Sequence, residues 1–296
     1  MSSDQSYLVS GNLVAVITAV RDGVPFALTT GGGSTLPAGP LQRSHRSMQE
    51  GMRAWVLRQT GCELGYIEQL YTFADRNRGS GPALEVSYLG LTTMEPGAEA
   101  WRSWYEFFPW EDRRDGTVVV DEIIAPALGR WVEEAAHDCQ DGRRVRCEAA
   151  FGLAGRPWHP DMALARYELL YEAGLVPEAG AEDCVPGRPM TPHHRRILAS
   201  GIARLRSKIQ YQPVIFELLP ETFTLSGLQT AVEAIAGQEL HTQNFRRLVA
   251  QQQLVEDSGQ VASSTGGRPA KLVRFRRSVL DERAAAGTKL PIPRVK

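Results

Sequence analysis

The chain has 296 residues, 43% of them hydrophobic, with 33 Lys plus Arg against 34 Asp plus Glu. At ~100 to 200 residues per domain the length implies two domains, each with enough apolar side chains for its own core. The net charge of -1 excludes a chain that is basic throughout, so any polyanion-binding surface must be a local cluster.

Cys62, Cys139, Cys147 and Cys184 show no C-x-x-C or Cys/His spacing, so neither a zinc site nor a disulfide scaffold is expected. The N-terminus has no basic stretch leading into an apolar core, and no apolar run reaches ~18 residues. These features predict a cytoplasmic protein that does not enter a membrane.

In chain order, "NLVAVITA" reads as a buried strand, "RDG" as a hairpin turn and "VPFALTT" as a second strand. A glycine-rich turn, "GGGSTLPAGP", leads into a helix with Met48, Met52, Val56 and Gln59 on one side and Leu57 nearby. Strands follow at "IEQLYTFA", "LEVSYLGLTT" and "TVVVDEIIA". Between the last two lies the aromatic stretch "WRSWYEFFPW", read as core or dimer interface.

Helical periodicity covers 124–137 and 161–175, where Leu164, Tyr167, Leu170 and Tyr171 share a face. The order predicts an α/β sandwich over residues 1–186, followed by a second domain over 187–296. That domain opens with "HHRRILASGIARLRSKI", whose five basic side chains and absent acids fit either a solvated face or a phosphate or nucleic-acid contact.

"TLSGLQTAVEAIAG" runs from a Thr224 cap through Leu225, Leu228, Val232 and Ile235 to Gly237. "HTQNFRRLVAQQQL" has Thr242 as its cap, with Phe245, Leu248 and Val249 inward. A strand, a Ser/Gly-rich wing and the strand "GRPAKLVRFRR" complete a winged helix-turn-helix. Residues 241–277 hold seven Arg or Lys (Arg246, Arg247, Arg268, Lys271, Arg274, Arg276, Arg277) against two acids.

The first half contains a helix, "GMRAWVLRQTGCELGYIEQLYTF", with the Thr-Gly-apolar ending of a Nudix box. Counting back from Gly61, the two metal-binding glutamates are replaced by Arg58 and Gln59, and the Arg-Glu pair by Ala54-Trp55. Mg²⁺ needs hard oxygen ligands, so this helix is not expected to support metal-dependent hydrolysis. Glu50 and Glu63 are off register for that role. No metal site and no catalytic residue is assigned, no P-loop or Ser/His/Asp set is present, and His137 and His159 read as structural or exposed.

Together "EQLYTFADRNR", "EVSYLGL", "RLRSKIQYQPVIFELLPETFTLSGLQ" and "NFRRLVAQQQLVEDSG" with "GRPAKLVRF" resemble the Nudix-related, NrtR-like transcriptional regulators of NAD metabolism. The likeness is strongest to their alphaproteobacterial branch, often called NadQ. It implies an α/β/α Nudix-like sandwich followed by a winged helix, and a repressor that binds palindromic double-stranded operator DNA as a homodimer. It further implies an effector that is an adenine nucleotide such as NAD, ADP-ribose or ATP.

The DNA-contact candidates are Thr224, Ser226, Thr242, Gln243, Asn244, Arg246, Arg247, Arg268 and Lys271. For the effector, Arg43, Arg46, Arg58 and Arg78 are candidates for phosphates, Asp75 for a ribose hydroxyl, and Tyr71 and Phe73 for stacking an adenine. The alternative for Tyr71 and Phe73 is burial in a strand core. Two other functions compete: a Nudix hydrolase of nucleoside diphosphate derivatives with an appended winged helix, and an RNA- or protein-interaction module.

Overall fold

Alternation along the first strand sets the architecture. The computed structural model describes residues 10–77, 81–94, 100–191, 193–262 and 270–278. Strand β1 (Ser10–Arg21) sends Leu13, Ala15, Ile17 and Ala19 to one core and Val14 and Val16 to another, as a strand inside a layered sheet must. Asp22 and Gly23, at φ 50° and 73°, then turn the chain into β2 (Val24–Leu28) as a two-residue hairpin.

β3 (Ala38–Pro40) takes the N-terminal half of the β1 edge and β2 the C-terminal half. Helix α1 (Met48–Thr60) starts at Ser47, whose hydroxyl accepts from Glu50 N at 3.1 Å, and stops at left-handed Gly61. Its buried residues, Met52 and Val56, sit on the first face, whereas Met48 and Leu57 are exposed, so the apolar stripe is narrower than the sequence predicts. β4 (Tyr66–Asn77) pairs antiparallel with β5 (Gly81–Leu91), β5 runs parallel to β1, and β6 (Trp101–Ser103) closes the order β4-β5-β1-β2-β6.

Helix α2 (Trp104–Phe107) opens the aromatic stretch, and Trp104, Phe107, Phe108 and Trp110 are core. Residues 117–125, expected to be a strand, are helical instead: a π-helical segment at Val119–Ile124 runs into α3 (Ala125–Glu133). Val120, Ile124 and Leu128 are buried at four-residue intervals, and this period outweighs the β-propensity of the Val/Ile run. Helix α4 (His137–Phe151) buries only Cys147, Ala150 and Phe151, which left it without a pattern to read. α5 (Ala163–Glu172) buries Tyr167 and Leu170 but leaves Tyr171 exposed.

Helix α6 (His194–Lys208) covers the second face of the sheet, although it falls on the far side of the division expected at 186/187. Its basic side chains are paired rather than free. Arg195 meets Glu178 (3.2 Å), Arg196 meets Glu168 (2.6 Å), Arg204 meets Glu68 (3.7 Å), and Arg206 and Lys208 pair with Glu111 and Glu68. The same core continues through Leu198, Ile202 and Leu205 into α7 (Leu225–Ala236), α8 (Thr242–Gln251) and the hairpin β7 (Val255–Val261) and β8 (Lys271–Phe275). Phe223 bridges to Val273 and adds a third short strand segment under the wing.

Candidate nucleic-acid interface and effector cleft

Two side chains one turn apart on α7 build the turn that aims α8. Gln229 Nε2 lies 2.8 Å from Glu233 Oε1, 3.0 Å from Leu240 O and 3.3 Å from Thr242 Oγ1, and Leu240 N donates to Glu233 Oε1 at 2.9 Å. The sequence predicts Thr242 as the cap of α8. The N-cap is His241, without a side-chain bond, and the Thr242 hydroxyl is turned to Gln229 instead. Thr224 does cap α7, accepting from Gly227 N at 2.9 Å, with Ser226 exposed beside it.

α8 buries Phe245 and Val249, and Gln243, Asn244, Arg246 and Arg247 point into solvent. Leu248 is only half-buried. Neither arginine has an ion-pair or hydrogen-bond partner among the described residues. An uncommitted guanidinium fork can take a guanine edge or a phosphate, and the neighbouring amides present the donor and acceptor pair that adenine requires.

On the hairpin, Lys271 is 80% exposed and 3.8 Å from Asp257. Arg274 is held by Glu256 at 2.6 Å and Arg276 donates to Gln253 O at 2.9 Å. The basic cluster of the sequence therefore divides into the committed Arg274 and Arg276, an exposed Lys271 in a long contact with Asp257, and Arg246, Arg247 and Arg277, which have no partner among the described residues. Arg268 lies outside the described residues.

At the degenerate Nudix helix, the residues standing where carboxylates belong fasten α1 to β3. Gln59 donates to Ala38 O at 2.7 Å and accepts from Ala38 N at 3.1 Å, a double contact that needs both ends of an amide. Trp55 donates to Pro40 O at 3.1 Å with its ring over Gly39, where a Cβ would overlap it. The Arg58 guanidinium stacks 4.0 Å from that ring. Glu50 accepts from Arg46 N at 3.0 Å. This donor set does not fit a carboxylate-bound divalent cation, and no three His, Cys, Asp or Glu side chains are grouped to hold a metal among the described residues.

The effector candidates do not converge. Arg43, Arg46 and Arg58 are exposed on the α1 side, whereas Tyr71, 58% exposed, opens into a cleft of about 270 Å³ on the α6 side with Leu70, Asp161, Leu164, Ser200, Arg204 and Ser207. Phe73 is buried, 5.1 Å from the Tyr71 ring, with the Arg196 guanidinium 5.0 Å from its own. That is the core alternative for Phe73 and the open one for Tyr71. Asp75 lies on β4 opposite Ala83, and Arg78 is outside the described residues. Sequence reading missed Asp161, Arg204 and Ser207, which come from segments far from Tyr71. The one signal was the basic run of α6.

These features define a class: a Nudix-like α/β sandwich, its metal box eroded, joined to a C-terminal winged helix. Within it, residues 215–275 match the NrtR DNA-binding winged helix domain. The ADPR responsive transcriptional repressor NtrR of Acinetobacter baylyi is 38% identical over 82 residues, 28% of this chain and 32% of that protein, so the match spans about a third of the relative.

Over nearly the whole length the fold is that of Shewanella oneidensis NrtR. It is 18% identical, covers 94% of this chain and 97% of that one, and has a TM-score of 0.55. The same regulator in complex with a 27mer DNA covers 91% and 95% at 19% identity and TM-score 0.53. A MutT/nudix family protein of Enterococcus faecalis has the fold too, at 15% identity, coverage of 93% and 90%, and TM-score 0.52. No helix among the described residues is long and apolar enough to cross a membrane.

Proposed function

We propose that this protein is a cytoplasmic, nucleotide-responsive transcriptional repressor of NAD biosynthesis genes. The observation that carries the reading is the outer face of α8, where Gln243, Asn244, Arg246 and Arg247 stand exposed and uncommitted above a buried Phe245/Val249 stripe. The winged-helix family match at 215–275 supports it. α8 enters the major groove with this face, Thr224 and Ser226 at the start of α7 approach the backbone, and Lys271 with Arg268 on the wing holds phosphates. Two copies bind a palindromic operator.

In this reading the Nudix-like half senses NAD, ADP-ribose or ATP without hydrolysing it. The Tyr71 cleft takes the base and a phosphate, with Arg204 as the cation in its lining, and the arginines of the α1 side form no part of that pocket. α6 belongs functionally to the sensing half, which puts the division between domains near residue 212, at the end of the turn following α6.

The test is a gel shift with duplexes from upstream of NAD biosynthesis genes, alongside a hydrolysis assay on ADP-ribose with Mg²⁺. Sequence-specific retardation without phosphate or AMP release is the expected result. EDTA-sensitive hydrolysis together with no retardation returns the reading to a Nudix hydrolase.

A further inference from the structure

The first helix of the DNA-binding motif ends against the sensing half. The last carbonyls of a helix have no intrahelical donor and need one from elsewhere. At the end of α7, Ala234 O accepts from the Tyr105 hydroxyl at 2.6 Å and Ile235 O from Arg206 Nε at 2.7 Å. Just beyond, Gly237 O accepts from Arg113 N at 2.9 Å. Gly237 is required at this junction, because its φ is 67° and a Cβ would overlap the Glu111 carbonyl.

The donors are held rigidly. Arg206, Arg166 and Glu111 are fully buried, and the Glu111 carboxylate accepts from Arg166 Nε (2.6 Å) and Nη2 (2.8 Å) and from Arg206 Nη1. Two guanidinium groups on one carboxylate leave a buried positive charge. The carbonyls of Pro160, Ile235 and Glu111 itself solvate it from the Arg206 side. Burial pushes the Tyr105 phenol up to about 12, so the hydroxyl stays a donor.

Helix α6 touches this clamp and the cleft within one turn. Arg204 and Ser207 line the cleft under Tyr71, and Arg206 between them points the other way into the Glu111 network. Glu68 holds the cleft side of this last stretch of α6, since it pairs with Arg204 at 3.7 Å and with Lys208 at the end of the same helix.

We propose that Tyr105, Arg206 and Glu111 are positioning residues that couple occupancy of the Tyr71 cleft, by the base and phosphate of a nucleotide, to the pose of α7 and so of α8. The proposal rests on the nucleotide-responsive reading given above. A phosphate on Arg204 competes with Glu68. Releasing that carboxylate frees Lys208 and lets the last turn of α6 move, and Arg206 carries the movement to the α7 carbonyls. The ligand then shifts DNA affinity by its differential affinity for the two poses.

The test uses the full chain with Tyr105→Phe, which removes one donor and keeps the ring. DNA Kd is measured with and without ADP-ribose, NAD and ATP, each added alone, and nucleotide Kd by calorimetry. Couplings of this kind are typically about 5- to 150-fold. The expected result is an unchanged nucleotide Kd with a nucleotide-induced change in DNA Kd at least about fivefold smaller than in the wild type.

Equal coupling in the variant and the wild type overturns the clamp. A wild type that binds DNA and responds to none of the three overturns the nucleotide-responsive reading as well. Should Tyr105→Phe fail to fold, hydrogen exchange on the wild type decides. Altered protection at 234–237 on nucleotide addition supports the clamp, and unchanged protection there overturns it.

Discussion

Helices α6 and α8 both carry strings of basic residues in text of similar hydrophobicity, and the structure uses them in opposite ways. Each of Arg195, Arg196, Arg204, Arg206 and Lys208 on α6 meets a glutamate from another element, and Arg195 and Arg206 are fully buried. Arg246 and Arg247 on α8 meet none among the described residues and stand in solvent. Charge content separates neither case. Whether each cation already has an anion does, because a committed guanidinium must lose its partner before it can bind a phosphate.

The sharpest break in the comparison is the loss of one partner on each helix. Arg206→Ala leaves Glu111 paired with Arg166 but takes the donor from the buried carbonyls of Ile235, Pro160 and Glu111, and each buried acceptor left unsatisfied costs about 1–3 kcal/mol. Chemical denaturation should show that loss, or outright failure to fold. Arg246→Ala removes nothing paired and should leave stability within about 0.5 kcal/mol. Equal costs for the two would erase the distinction.

The start of α6 adds a pH dependence of its own. His194 Nδ1 accepts from Leu36 N at 2.8 Å, and burial, with His193 as a smaller influence, holds its pKa down to about 4 from 6.5. The folded value is depressed, so the neutral ring's contribution is complete above pH 6.5 and is lost as pH falls toward 4. At ~1.36 kcal/mol per unit this is at most ~3 kcal/mol, reduced by solvent at the half-buried ring. Melting curves between those limits should be steeper with pH for the wild type than for His194→Gln. Parallel curves would deny the latch.

Smaller effects sharpen the α8 side. Arg246→Ala or Arg247→Ala should each cost ~1–3 kcal/mol on operator DNA and less on random duplex. Lys271→Ala should weaken both duplexes alike and lower the salt slope by ~1. Isotherms at several salt concentrations separate the two patterns, and a Lys271→Ala variant that loses specificity alone would put the wing in the base-reading role.

What the sequence could disclose follows the reach of each interaction. The cap at Thr224, the stop at Gly237 and the Phe245/Val249 stripe are local, and they were legible as a winged helix. The π-helical segment at 119–124 reads as a strand because its two valines and two isoleucines carry β-propensity, while their burial spacing depends on what lies beneath them. The fate of α6 was illegible: Glu68, Glu111, Glu168 and Glu178 lie on four other segments, and nothing in the run 193–209 announces them.

The effector candidates divide between two sides of the sheet for the same reason in reverse. Arg43, Arg46 and Arg58 lie close to Tyr71 in sequence and on the other side of the sheet in space, whereas Arg204 is distant in sequence and lines the Tyr71 cleft. The Nudix helix was legible by subtraction, since missing carboxylates can be counted. That Gln59 would grip both polar groups of Ala38 could not be counted.

Nucleotide-responsive repression is tested by an anisotropy titration of the full chain on labelled DNA from upstream of NAD biosynthesis genes and on its scrambled counterpart. Each is repeated with NAD, ADP-ribose, ATP and NADP singly. The expected result is tighter binding to the upstream sequence, a change in its Kd with at least one of the adenine nucleotides, and loss of the sequence preference in the double variant Arg246→Ala/Arg247→Ala. Equal affinity for both duplexes, unmoved by every nucleotide and by the double substitution, would contradict it.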